Sequence, residues 1–136
     1  MAFTHGKDAV FKITDAAATL RNITTSLSSA GLQRVADLAE TSTLGSTYKS
    51  FVGGLIDASI PLDGLFDPTT DGYLAGILQL SKAFEYYPAG EPVGATKPKY
   101  TGNAILTSYE IVTSVDGPAS ISGEFQVDGA VTRAVA

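Results

Sequence analysis

The chain has 136 residues, room for one domain with its own core and not for two. A hydrophobic fraction of 44% excludes a disordered tail, and the lack of any cysteine excludes a disulfide framework, a zinc ribbon or a thiol nucleophile. A net charge of −5 argues against wrapping nucleic acid through its phosphates, though not against nucleic acid that slides past without sticking.

The opening segment, Met1–Asp8, has no basic stretch followed by an apolar run and reads as an N-terminal arm of a chain made in a cytoplasm. No apolar stretch approaches the ~20 residues that span a bilayer, so no membrane partner is expected. Strands are expected at Ala9–Asp15 and Thr19–Ile23 around a tight Ala-rich turn, and another from Gly31 through Val35 and Leu38. Residues Ala39–Gly54 then form a long loop rich in Gly, Ser and Thr that nonetheless carries Leu44, Tyr48, Phe51 and Val52. Loops of that length are usually functional or mobile, and a solvated loop has no use for Tyr and Phe. The alternative is that part of it is a short helix.

Period-2 alternation takes over at Ile56, Ala58, Ile60 and Leu62, opposite Asp57, Ser59 and Asp63. Pro61 inside that run cannot donate to a ladder, which points to an edge or a bulge. Asp67-Pro68 reads as an N-cap with proline in the first turn, opening one helix through about Ser81 with Leu74, Ile77 and Leu78 on its apolar side. Gly72 and Gly76 each weaken that helix by roughly 1 kcal/mol relative to Ala. Lys82–Tyr87 reads as extended, and Pro88–Lys99 as a Pro/Gly-rich surface loop. The chain closes on a long hairpin: Ile105, Thr107, Tyr109 and Ile111 on one face, a turn at Asp116-Gly117-Pro118, then Ile121, Gly123, Phe125 and Val127 in strict alternation. Residues 129–136 are left as a C-terminal arm.

Chemistry is scarce. The single histidine, His5, sits in the arm, where metal sites and Ser-His-Asp triads are not built, and no GxSxG, Walker A, HExxH or GxGxxG motif occurs. No catalytic residue, metal site or cofactor is assigned. Asp63, Asp67 and Asp71 lack the alternate spacing and terminal Glu of a calcium loop; capping explains the last two. Tyr86 and Tyr87 face opposite sides of a strand and cannot stack one ligand. Asn22-Ile23-Thr24 matches the glycosylation sequon by chance. Charged residues are only 17% of the chain, below the ~25% of an average domain. That suits either a surface covered by neighbours or a secreted-type β domain.

Three blocks resemble the major tail, or tail tube, proteins of long-tailed bacteriophages. They are Leu38-Ala-Glu-Thr-Ser-Thr-Leu-Gly45 followed by Gly54-Leu55, the strand Asp57–Asp67 leading into the helix, and Tyr100–Glu110 followed by Gly123–Val127 and Gly129–Thr132. Glu40 stands where that family commonly has aspartate. The resemblance implies a mainly-β domain, a two-sheet sandwich or rolled barrel with one flanking helix and a long inter-strand loop. It further implies a non-enzymatic virion subunit of a noncontractile tail, forming stacked hexameric rings with copies of itself around a channel for DNA. Tape measure, tail tip and terminator proteins would be its other partners. Leu44, Tyr48 and Phe51 are the candidate inter-ring anchors. Glu110, Glu124 and Asp128, on the polar faces of the last hairpin, are the candidate lumen residues. A capsid decoration protein is the alternative, and a carbohydrate-binding sandwich ranks lower because the chain has no Trp and no aromatic platform.

Overall fold

Eight antiparallel strands join into one sheet in the computed structural model, which describes residues 5–91 and 93–135. They are β1 (Val10–Thr14), β2 (Leu20–Asn22), β3 (Leu27–Ala30), β4 (Gln33–Glu40), β5 (Phe51–Leu65), β6 (Ser81–Tyr87), β7 (Lys99–Ser114) and β8 (Gly117–Ala134), with one helix, α1 (Pro68–Ala75), between β5 and β6. The spatial order is β2-β1-β6-β7-β8-β5-β3, and β4 pairs with β5 as well. The fold is therefore mainly β with one helix, and of the two expected arrangements it takes the rolled one, a single sheet curled into a half-barrel.

The curl encloses the core. Alternate residues of each long strand point inward: Phe11 and Ile13, Ala58, Ile60 and Leu62, Phe84, Ala104 and Leu106, Ile121, Phe125 and Val127. Phe11 is the hub, stacked on Phe84 with ring centroids 6.4 Å apart and tilted against Phe125 at 6.1 Å. Fully burying a side chain of this size contributes roughly 1.5–3 kcal/mol. The ion pair Lys12–Glu91 (2.7 Å) lies at the surface, where such pairs contribute about 0–1 kcal/mol, and Arg21 reaches the covered Asp15 at 2.8 Å. Packing, not charge, keeps the sheet rolled.

The helix begins where expected. Asp67 accepts the amide of Thr69 at 3.4 Å, and Pro68 occupies the first turn. It ends at Ala75, shorter than the expected span to Ser81. Ile77 leaves the helical path to enter the core fully buried, Leu78 bridges to Leu106, and Gln79 takes a positive φ of 70° while its amide donates to the Leu106 carbonyl. Glycines at 72 and 76 make that early exit inexpensive. The helix is tied down by a buried Ser26–Thr70 hydroxyl pair and by the Tyr109 hydroxyl donating to Asp71 at 2.8 Å.

Two expectations about strands are corrected. Ile105 and Thr107 do not share the inward face with Tyr109. Ala104 and Leu106 do the inward packing, and a bulge between Leu106 and Ser108 leaves Thr107 unopposed and switches the inward set to Tyr109 and Ile111. Pro61 lies in an interior strand, not at an edge. It sits where the neighbour of β5 changes from β3 to β4, so no partner carbonyl awaits its missing N–H, and its own carbonyl accepts from Gly31 at 3.2 Å. The expected C-terminal arm is instead strand β8 through Ala134. At the other terminus residues 1–4 of the expected arm lie outside the described residues, and Gly6–Asp8 form a single 3₁₀ turn capped by His5.

Candidate assembly surfaces

β4 and the first half of β5 leave the body of the sheet as a projecting hairpin. Every residue of Gln33–Glu40 is exposed, as is every residue of Phe51–Asp57, and burial begins only at Ala58. The expected loop Ala39–Gly54 narrows to residues 41–50, because Ala39↔Val52 and Glu40↔Phe51 are ladder pairs; no helix forms in it. Its hydroxyls pair, Thr41 with Ser50 at 2.8 Å and Thr43 with Ser46 at 3.3 Å, and its backbone closes alongside. Thr41 donates its amide to the Ser50 carbonyl and Ser50 donates its amide to the Ser42 hydroxyl, each at 2.8 Å, while Ser46 donates its amide to the Thr43 carbonyl at 2.9 Å. The polar side chains thus hold the turn, and the apolar ones are left outside. Leu44 is 109% exposed and Tyr48 85%, with Phe51 half exposed at the start of β5.

The stem carries exposed apolar side chains on both faces. By register, Ile56, Leu38 and Phe51 continue the core face, whereas Val35 and Val52 take the opposite face; Leu55, in a bulge opposite Asp37, is 82% exposed. An antiparallel hairpin in water normally keeps one polar face. This one mixes charged and apolar residues on each, Arg34 and Glu40 beside Leu38 and Phe51 and Asp57 beside Val35, and among the described residues β4 also offers an unpaired edge.

The outer face of β5, β8 and β7 has a different character. Register aligns Asp63, Ser122 and Glu110 in one row and Pro61, Glu124 and Ser108 in the next, with Asp57 and Asp128 further along. Gln126 donates to Asp57, and Ser81 donates to Asp128 at 3.3 Å. Across Phe51–Leu65, Tyr100–Ser114 and Gly117–Thr132 there is no Lys or Arg at all. Glu110, Glu124 and Asp128 are therefore brought onto one acidic face, joined by Asp57 and Asp63, which sequence reasoning left out. Alternation along β5 already placed those two on its polar side; only the strand order showed them adjacent to the others.

Other polar residues serve structure. Among the described residues no three metal-ligating side chains converge. The Asp15 carboxyl is held below the usual aspartate range, first by the Arg21 guanidinium and then by the Thr19 and Ala17 amides. Burial, then the bond to Asp71, raises the Tyr109 hydroxyl well above its ordinary value. Tyr86 packs on Phe11, while Tyr87 is buried on the other side of the strand against Glu85.

A curled β domain with an apolar hairpin and an open edge defines a subunit to be completed by neighbours. The phage tail tube protein family matches the sequence over residues 3–133, and the chain belongs to that family. It is a structural subunit of a phage tail tube, and its place is the virion tail. No curated protein matches it. Among solved structures, a chain from the virion of a native gene transfer agent particle superposes with a TM-score of 0.80 at 22% identity, covering 97% of this chain and 99% of the other. A chain from the tail of an empty gene transfer agent particle, refined with C6 symmetry, gives 0.77 at 19% identity, with 96% and 98% covered. The SPP1 tail tube gives 0.75 at 16% identity, with 98% and 80% covered. Likeness at these identities shows a shared fold.

Proposed function

We propose that six copies of this chain close into a ring, that rings stack into a noncontractile tube, and that DNA leaves the particle through its centre. The observation that carries this reading is the hairpin, whose exposed apolar side chains and open edge have no partner among the described residues. Leu44, Tyr48 and Phe51 are the ring-to-ring anchors, and the C6 symmetry of the similar gene transfer agent tail supports the ring number. The acidic outer face, with Glu110, Glu124 and Asp128, lines the channel. The Debye length is ~8 Å at physiological salt, so these carboxylates act only on phosphates passing close by. They prevent adhesion over the last few ångströms, which is what a conduit requires. Tape measure, tail tip and terminator proteins complete the assembly.

Negative-stain electron microscopy of the purified protein across a concentration series tests this. Rings or tubes with a central hole are expected. Replacing Leu44, Tyr48 and Phe51 together by Ser should abolish stacking. A protein that stays monomeric at millimolar concentration, alone and with tail-tip proteins, would overturn the reading. Binding of such a monomer to capsids would favour the decoration alternative.

A further inference from the structure

The hairpin parts from the rest of the sheet at a fork. The ladder between β5 and β8 ends at Ser59↔Gln126, and from there toward Phe51 strand β5 pairs only with β4. β8 continues along β7 through a bulge, where Gly129, Ala130 and Val131 oppose the single Gly102 and Gly129 takes a positive φ of 91°. Between the two limbs lies a groove of about 360 Å³, lined by Arg34, Ile56 and Ala58 on the hairpin side and by Val127 and residues 129–131 on the other. Every residue of Gln33–Glu40 and Phe51–Asp57 is exposed, so no buried packing fixes the direction in which the limb projects. A segment with so few buried contacts bends readily about its root unless something else holds it.

Two side chains cross the fork, one on each face. On the concave face Arg34, which pairs with Ala58 and so shares the core side, sets its guanidinium over the Tyr100 ring, 5.5 Å from the centroid. Tyr100 lies on β7, so this contact passes over both β5 and β8. On the convex face the Gln126 side-chain amide donates to the Asp57 carboxylate and, at 3.1 Å, to the Ala58 carbonyl. Asp57 in turn accepts the Ala58 amide at 2.9 Å, which ties its carboxylate to the root of the limb. Arginine suits the inner position because its flat, delocalised cation stacks on an aromatic ring and keeps its charge. Bending the limb toward either face must break one contact or the other.

We infer that Arg34 and Gln126 are positioning residues that brace the hairpin from opposite faces, so that the free chain holds it at one angle before it meets a neighbouring copy. This rests on the reading of the hairpin as an assembly element and adds to it how a single chain keeps that element ready. Holding a limb in its bound direction removes the cost of ordering it from the association step. Neither side chain touches the anchors at the tip, so the two act through the angle alone.

The chain has no cysteine, so spin labels at Lys49→Cys on the hairpin and Ala83→Cys on β6, both exposed positions, report the angle by pulsed electron paramagnetic resonance on the unassembled protein. The parent should give one narrow distance distribution. Arg34→Ala with Gln126→Ala should widen it roughly twofold while the thermal midpoint, read by circular dichroism, stays near that of the parent. The same pair should raise the concentration needed for assembly about tenfold. Tyr100→Leu, which removes the inner contact from its other side, should also widen the distribution, whereas Tyr100→Phe keeps the ring and should restore the parent's. A double variant as narrow as the parent would overturn the inference, because the strands alone would then set the angle. A parent already broad would overturn it too, as would a widened variant that assembles at the parental concentration. The distances are read on single chains, so a narrow parent that never forms rings sinks the stacking reading and leaves the brace standing.

Discussion

Gly64 carries the tightest crossing in the molecule, and Gly64→Ala should be the most damaging glycine substitution. A Cβ there would lie 2.2 Å from the Ser26 carbonyl oxygen and 2.9 Å from the Leu27 Cα, both of them backbone. No rotamer change relieves such a clash. β3 must move away by about an ångström, which loosens the Leu27↔Gly64 pair and the Ser26–Thr70 hydroxyl pair beneath it. Overpacking of this sort costs typically 1–3 kcal/mol, and with a buried hydrogen bond disturbed we expect about 3 kcal/mol. At ~3–4 °C per kcal/mol for a chain of this size, the midpoint should fall by about 10 °C. Gly72→Ala is the control. It is an exposed position inside α1 with nothing within 4 Å of the added carbon, so helix propensity should stabilise the fold by up to ~1 kcal/mol. Thermal melts by circular dichroism, under conditions that keep the chain unassembled, decide the matter. A Gly64→Ala midpoint within 2 °C of the parent would refute the argument from backbone approach.

Phe125→Ala removes a fully buried ring packed on Phe11 and should cost about 3–5 kcal/mol, read as a shift in the urea midpoint. The lowered folded pKa of Asp15 stabilises the protein fully above the unfolded value of about 3.9, and that gain is lost as pH falls through the lower folded value. Asp15→Asn should therefore weaken the fold at neutral pH and flatten the acid limb below pH ~4, and an unchanged acid titration of stability would count against the Arg21 pairing. Glu124→Lys with Asp128→Lys should leave tubes intact and slow DNA release from reconstituted particles. Release at the normal rate would remove these residues from the channel wall.

Much of the fold was legible because its signals are local. Strict alternation along Ile121–Val127 marked β8, the Asp-Gly-Pro turn closed its hairpin, and Asp67-Pro68 opened the helix; each depends only on near neighbours in the chain. The apolar residues stranded in a Ser/Thr-rich stretch also marked the hairpin end. What needed the tertiary structure were the places where a partner strand decides. The bulge at Thr107 reverses which face of β7 is buried, and nothing within β7 encodes it, since it follows from how β8 opposes it. Ile56 keeps the alternation of Ala58 and Ile60 yet stays exposed, because the rest of the sheet stops short of it. Pro61 announces a broken ladder, but only the meeting of β3 and β4 shows that the break belongs to the neighbour. Sequence alone therefore determined most element types and the helix start, through periodicity and capping within a few residues, and its three blocks carried the resemblance to the family, while β3 went unread. The curl of one sheet decided the acidic face and where the hairpin leaves it, because residues far apart in the chain become neighbours only through strand order and register.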